Sequence, residues 1–142
     1  MAIEFSSKTS QYSEFSNFHH APFVLNGLWP TVEHYFQAQK FPGDPALQEV
    51  IRKTEYPSIA KKLGRMRSPH FRRDWESVKE IVMLEALQAK FEQNKDLAAL
   101  LKSTGTAQLR ERASWDSYWG TGRNGLGKNR MGELLMIVRQ GL

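Results

Sequence analysis

The chain has 142 residues, 40% of them apolar, 11% aromatic and 25% charged, the balance of a folded globular domain and not of a disordered chain. No cysteine is present, which excludes disulfides, thiolate metal sites and a cysteine nucleophile, and the longest apolar run, 134–138, is far short of the ~20 residues of a membrane-spanning helix. The net charge of +5 suits a phosphorylated or polyanionic partner without requiring one. Glu4 stands where a signal peptide needs its apolar core, so a cytoplasmic protein forming a single domain over 1–142 is expected, with no membrane association.

Residues 3–5 read as a short strand, and 23–29 as a hairpin turning at Asn26-Gly27. Pro30-Thr31 opens a helix running to about Phe41, where Pro42-Gly43 stops it. Pro45 begins a second helix, to about Lys53, and Pro57 a third, ending near Gly64; Ser68-Pro69 repeats the same opening signal. Asp74 is placed to cap the main helix, 75–93, on which Trp75, Val78, Ile81, Val82, Ala86 and Ala89 form a wide apolar stripe. A helix from Asn94 or Asp96 ends at Gly105, residues 108–113 alternate like a strand, and a glycine-rich loop (120–127) precedes a last helix over 129–140. The predicted fold class is mainly α, a compact multihelical domain with one or two short strands or a hairpin.

Charge is unevenly placed. Residues 52–73 carry eight lysines and arginines against Glu55 alone, and 120–142 carry four against Glu133. The first cluster is either a solvated helix face or a surface for an anion.

Three features could carry chemistry. Glu33 and Lys40 are seven residues apart, two helical turns, with Gln37 between them and Val32, Tyr35, Phe36 and Phe41 as apolar cover. They read either as an ordinary exposed ion pair at one remove, or as a proton-transfer carboxyl beside a desolvated, nucleophilic amine. Trp115-Asp116-Ser117-Tyr118-Trp119-Gly120 sets a carboxylate among large aromatics, which suits stacking on a planar base, or equally a core cluster in which Asp116 caps the loop. Residues 120–132 combine glycines with Arg123, Lys128 and Arg130 ahead of a helix N-terminus, which suits a phosphate or is a mobile connector. That segment has no Walker A pattern, and its Gly120-x-Gly122-x-x-Gly125 spacing lacks a βαβ setting. His19-His20 and His34 have no zinc-ligand spacing, and no Gly-x-Ser-x-Gly elbow exists.

Taken together, Phe15-Ser16-Asn17-Phe18, the run Trp29-Pro-Thr-Val-Glu-His-Tyr-Phe-Gln-Ala-Gln-Lys-Phe41, and Asp116-x-x-Trp119-Gly120 continuing through Gly127-Lys-Asn-Arg-Met-Gly-Glu-Leu-Leu-Met136 resemble the NADAR (YbiA-like) family. Ala60-Lys-Lys-Leu-Gly-Arg65, Trp75-Glu-Ser-Val-Lys79 and Ala89-Lys-Phe91 extend the resemblance over nearly the whole chain. It implies a mainly helical fold and N-glycosidase activity with no metal and no cofactor. Two substrate types are implied: phosphorylated ribosylaminopyrimidine intermediates of riboflavin synthesis, releasing ribose 5-phosphate, or ADP-ribose on guanine in DNA. In the second case the enzyme acts as antitoxin to an ADP-ribosyltransferase toxin encoded nearby. By motif match Glu33, Trp75 and Asp116 stand at activity-critical positions, and Lys40 at that of a sugar-engaging lysine. Asn17, Phe18, Trp75, Trp119 and Gly120 are expected to contact the substrate, with Lys128, Asn129, Arg130 and Arg65 as candidates for its phosphate. Either Glu33 or Asp116 supplies the proton, and Lys40 either forms a Schiff base with C1 or acts only by charge. A basic domain that binds ADP-ribose or nucleic acid without cleaving it is the non-enzymatic alternative.

Overall fold

Thr31 shows how locally encoded the helices are. Its backbone is extended, its Oγ1 accepts the His34 amide, and the computed structural model, which describes all 142 residues, starts α1 (Val32–Ala38) there. Asp44 caps α2 (Pro45–Lys53) in the same way by accepting the Leu47 amide, with Pro45 in its first turn. Pro57 opens α3 (Pro57–Leu63). The long helix α4 (Trp75–Gln93), α5 (Lys95–Ser103) and α6 (Arg130–Gln140) complete a set of six. Four short strands accompany them: β1 (Ala2–Phe5), β2 (Phe23–Val24), β3 (Leu28–Trp29) and β4 (Gln108–Glu111), with a 3-10 turn at Ser13–Phe15. The mainly helical class expected from sequence holds.

The chain forms two compact units. The first comprises residues 1–19 and 91–142. In it β1 and β4 pair in parallel, Ala2 opposite Gln108 and Phe5 opposite Glu111, and α6 packs on β4. Phe5, Phe15 and Phe91 meet there edge to face, at 5.7 and 6.1 Å between ring centres, among the buried Leu97, Leu101, Leu109, Leu135 and Val138.

The second unit spans residues 20–90. Its hairpin β2–β3 pairs Phe23 with Trp29, and it turns where Asn26 and Gly27 both have positive φ, 54° and 112°. Helix α1 packs on α2 and α3 and is buried along its whole length: all seven of its residues are buried. A short helix enclosed in this way needs its polar side chains satisfied internally. His34 is the clearest case. Its Nε2 donates to the carbonyl of Thr54 at 2.9 Å, and its Nδ1 is 2.7 Å from Thr31 Oγ1, so the neutral ring ties α1 to the end of α2.

Burial holds the His34 ring below its ordinary pKa, with the Thr54 carbonyl opposing. The folded chain therefore refuses a proton that the unfolded chain accepts, and this contribution is complete above pH ~6.5 and lost as the pH falls through the lowered value. Replacing His34 by Gln is expected to lower the melting temperature clearly at pH 7.5 and much less at pH 5. Thermal melts of both proteins across that range check it.

Several boundaries differ from the sequence expectation. Helix α1 ends at Ala38 and not at Phe41, because the amides of Lys40 and Phe41 turn to the carbonyls three residues back, Gln37 and Ala38. The Lys40 carbonyl then accepts the Arg72 amide at 2.9 Å. Ser68-Pro69 opens a turn and no helix. Asp74 receives the amides of Ser77 and Val78 on its backbone carbonyl, while its carboxylate makes a forked pair with Arg72. On α4, Ile81 is 60% exposed, whereas Met83 and Leu87, outside the expected stripe, are buried. The last helix begins at Arg130, with Asn129 in a left-handed conformation before it.

Candidate active site

Within the second unit the structure brings together four of the residues singled out from sequence: Glu33, Lys40, Arg65 and Trp75. Glu33 lies in the first turn of α1 and is 7% exposed. One turn on, Gln37 donates from Nε2 to Glu33 Oε2 at 2.6 Å. Lys40, just beyond the helix end, is half-buried, with its Nζ 5.7 Å from the centre of the Trp75 ring. Phe36 meets the same indole edge-on at 4.9 Å, so Trp75 is held between an aromatic ring and a cation. Burial of Trp75, at 6% exposure, fixes the first residue of α4 in place.

The electrostatics of this cluster run in two directions. Burial pushes the Glu33 carboxyl above its ordinary pKa, opposed by the Gln37 hydrogen bond and by the charges of Lys61, Lys40 and Arg65. Burial likewise pushes the Lys40 amine below its ordinary value. The negative charges of Glu33 and Glu76 oppose that shift, and Arg65 and Lys61 reinforce it. Both groups are thus moved in the direction of their neutral forms, the carboxyl made a weaker acid and the amine a weaker base. Burial of Glu33 removes the reading of an exposed ion pair.

Three contributors to this site were not singled out. Lys61 lies on α3 and Arg65 just past its end, so one basic segment supplies two cations to the Glu33 and Lys40 pair. Gln37 lies between the two in sequence and holds the Glu33 carboxyl. Gly64 has ordinary backbone angles, φ −65° and ψ −14°, and is small for a different reason: a Cβ there would lie within 2.7 Å of the Gln37 Cδ. The only advance signal was a Gly directly before Arg65 at a helix end, which reads as a stop and not as a seat for a side chain.

The remaining expected residues lie in the first unit. Asn17 is buried and Phe18 half-buried, the Phe18 amide donating to Ser16 Oγ. Asp116, Trp119, Gly120, Lys128, Asn129 and Arg130 are gathered by one knot of backbone. Asp116 Oδ1 accepts the amides of Tyr118 and Trp119, both at 2.9 Å, so the carboxylate does cap its own loop. The Trp119 and Tyr118 rings meet edge-on at 5.0 Å, and Lys128 Nζ lies 5.3 Å from the Tyr118 ring centre. Trp115 is 75% exposed and belongs to no aromatic core.

One expectation for this segment needs correcting. The amides of residues 127 to 131 do not form an anion cradle, because each donates to a carbonyl of residues 117–121, at 2.7 to 3.1 Å. Asn129 is 4% exposed; its Oδ1 accepts the Glu111 amide and its Nδ2 donates to the Leu109 carbonyl. Its side chain locks the entrance of α6 to β4, with one of its two Nδ2 hydrogens in that bond. A polar cavity of about 530 Å³ in this unit, near Glu4, Lys8 and Arg112, contains none of the expected residues.

Comparison with known proteins identifies the family. The NADAR domain model matches residues 4–142. The chain is 52% identical over 141 residues to the N-glycosidase YbiA of Shigella boydii, covering 99% of this chain and 88% of that protein. It is 37% identical to a riboflavin biosynthesis protein of Vibrio vulnificus, covering 99% of this chain and 38% of that longer one. Among solved structures, the NMR structure of Escherichia coli YbiA matches with a TM-score of 0.89 at 49% identity, over 99% of this chain and 84% of that one. With a family model spanning almost every residue and relatives this similar along their own length, the chain belongs to the NADAR domain family.

Proposed function

We propose that this chain cleaves the bond between C1 of a phosphorylated ribosyl group and an exocyclic amine of a base-like heterocycle. On this reading its substrates are ribosylaminopyrimidine phosphates of riboflavin synthesis, and its product is ribose 5-phosphate. That it is a hydrolase of N-glycosyl bonds follows from family membership and from relatives named N-glycosidase at about half identity over their length. The narrower substrate is supported by the relative named for riboflavin biosynthesis.

One observation carries the mechanism: a buried carboxyl and a half-buried amine, on one helix and its exit turn, both shifted toward neutrality beside Trp75. In an N-ribosylamine the nitrogen lone pair can expel the ring oxygen from C1. Glu33 protonates that oxygen as the C1–O bond breaks, leaving an open-chain iminium between C1 and the base nitrogen. The Lys40 amine adds to C1 and loses a proton, and the base departs as its free amine, so that C1 is bonded to Lys40 as a Schiff base. Water then adds to C1, releases the sugar aldehyde and restores the lysine. The Trp75 ring seats the Lys40 amine, and Lys61 and Arg65 supply positive charge for the sugar phosphate. Asp116 Oδ1 accepts two amides of its own loop, and the proton donor of this reading is Glu33, the carboxyl on the same helix as the exit turn that carries Lys40.

The basic segment 52–73 favours a second substrate, ADP-ribosylated guanine in DNA, since Lys53, Lys62, Arg67 and Arg73 are all exposed. Offering the purified protein a ribosylaminopyrimidine phosphate and a guanine-ADP-ribosylated oligonucleotide side by side decides between them. A kcat/KM at least ~10-fold higher for the pyrimidine is expected, which corresponds to about 1.4 kcal/mol of transition-state discrimination. Faster release of ADP-ribose establishes the second reading, and binding without product from either substrate establishes a non-catalytic domain.

A further inference from the structure

Gln37 is 5% exposed and sits one turn from the carboxyl that the mechanism uses, yet only half of its carboxamide is satisfied. Its Nε2 donates to Glu33 Oε2 at 2.6 Å, while its Oε1 is buried and has no hydrogen-bond partner. An unpaired acceptor in a buried site is costly, and here it lies against Gly64, where even one methyl group would collide with the amide. The chain therefore keeps both an orphan oxygen and the space around it.

The two ends of a glutamine amide are a donor and an acceptor, exchanged by half a turn about a torsion that has two broad wells. A carboxylate can only accept, whereas a carboxylic acid also donates. With Glu33 ionised, the Nε2 end must face it. Once Glu33 carries a proton, the unpaired Oε1 is the acceptor that its O–H lacks. We propose that Gln37 is a positioning residue that turns its carboxamide over each time Glu33 gains or loses a proton. In this proposal Gly64 provides the room for the turn, so that the carboxyl keeps one direction in both states. One end of the amide is unpaired in either orientation, which keeps the two close in energy. The inference rests on Glu33 being the proton donor of the proposed mechanism. The other charged groups acting on Glu33 are Lys40 beyond the end of α1, Lys61 on α3 and Arg65 after it, with Glu76 of α4 acting on Lys40. None of these can serve both protonation states of Glu33 as an amide does.

The test needs no substrate, so its outcome is independent of which glycoside is cleaved. The full chain, labelled with ¹³C at glutamate carboxyls and ¹⁵N at glutamine side chains, is titrated from pH 4 to 9 by NMR. The Gln37 amide signals are expected to shift with the same midpoint as the Glu33 carboxyl. In Gln37→Met, which keeps the shape and loses both ends of the amide, that midpoint should rise by at least about 0.5 pH, because, of the two hydrogen bonds lost, the one to the charged form is the stronger. Gly64→Ala, which displaces the amide, should raise it in the same direction. Gln37 signals that ignore the Glu33 titration overturn the proposal in the wild-type protein alone, whether or not the variants fold. An unchanged Glu33 midpoint in a folded Gln37→Met protein overturns it equally.

Discussion

Glu33→Gln is expected to lower kcat by ~10²- to 10⁴-fold, the range for loss of a positioned general acid, while leaving KM nearly unchanged. The same variant should be more stable than the wild type at neutral pH. Glutamine keeps the shape and still accepts the Gln37 donor, but it never has to be ionised in a buried site. The sign follows from the raised pKa of Glu33 in the folded chain. Below its unfolded pKa, near 4.3, the carboxyl is protonated in both states and the substitution is neutral. As the pH rises from there, the unfolded chain gives up its proton before the folded chain does, so wild-type stability falls relative to the variant until the folded value is passed. Melting curves at pH 4 and pH 8 should show no gap at the first and a gain for Glu33→Gln of a few degrees at the second, on the order of 1 kcal/mol. A variant that is inactive and less stable at pH 8 would mean that Glu33 is a structural carboxylate. A trade of stability for chemistry of this kind is typical of active sites.

Lys40 carries the second large effect. Lys40→Ala should reduce kcat/KM by ~10³-fold or more, as loss of a covalent nucleophile does, and Lys40→Arg should be no better. Arginine keeps the positive charge over Trp75 but has no deprotonated form with which to attack C1. Borohydride added during turnover should leave the reduced sugar on Lys40, read as a mass increment on the peptide that contains it. Direct hydrolysis with Lys40 acting only by charge predicts the reverse: substantial rescue by arginine and no trapped adduct. The lowered pKa of the amine also predicts that activity persists well below the pH at which an ordinary lysine is deprotonated.

Local signals carried most of the secondary structure. Thr31, Asp44, Pro45 and Pro57 encode helix starts through caps and a fixed φ, which need only neighbouring residues. The hairpin at Asn26-Gly27 is local for the same reason. Ser68-Pro69 shows the limit of such signals, since a proline permits a helix start without compelling one. The exit of α1 falls short of Phe41 because its last amides turn back within three residues, and the Lys40 carbonyl is claimed by Arg72, thirty-two positions away. No window of sequence contains that bond. The parallel pairing of β1 with β4 is equally non-local, joining residues 2–5 to 108–111.

The sequence by itself determined the helical class, the family and the alignment of Glu33 with Lys40, because composition, capping and helical period are properties of neighbours along the chain. Tertiary structure decided what those two residues are. Burial of α1 along its whole length, against α2 and α3, turned an apparent surface ion pair into a carboxyl raised above its ordinary pKa and an amine lowered below its own. It also gave Gly64 its meaning as the seat of Gln37, and it committed the amides of 127–131 and the side chain of Asn129 to internal partners. Desolvation and hydrogen-bond satisfaction depend on which atoms surround a group in space, and that information exists only once the chain has folded.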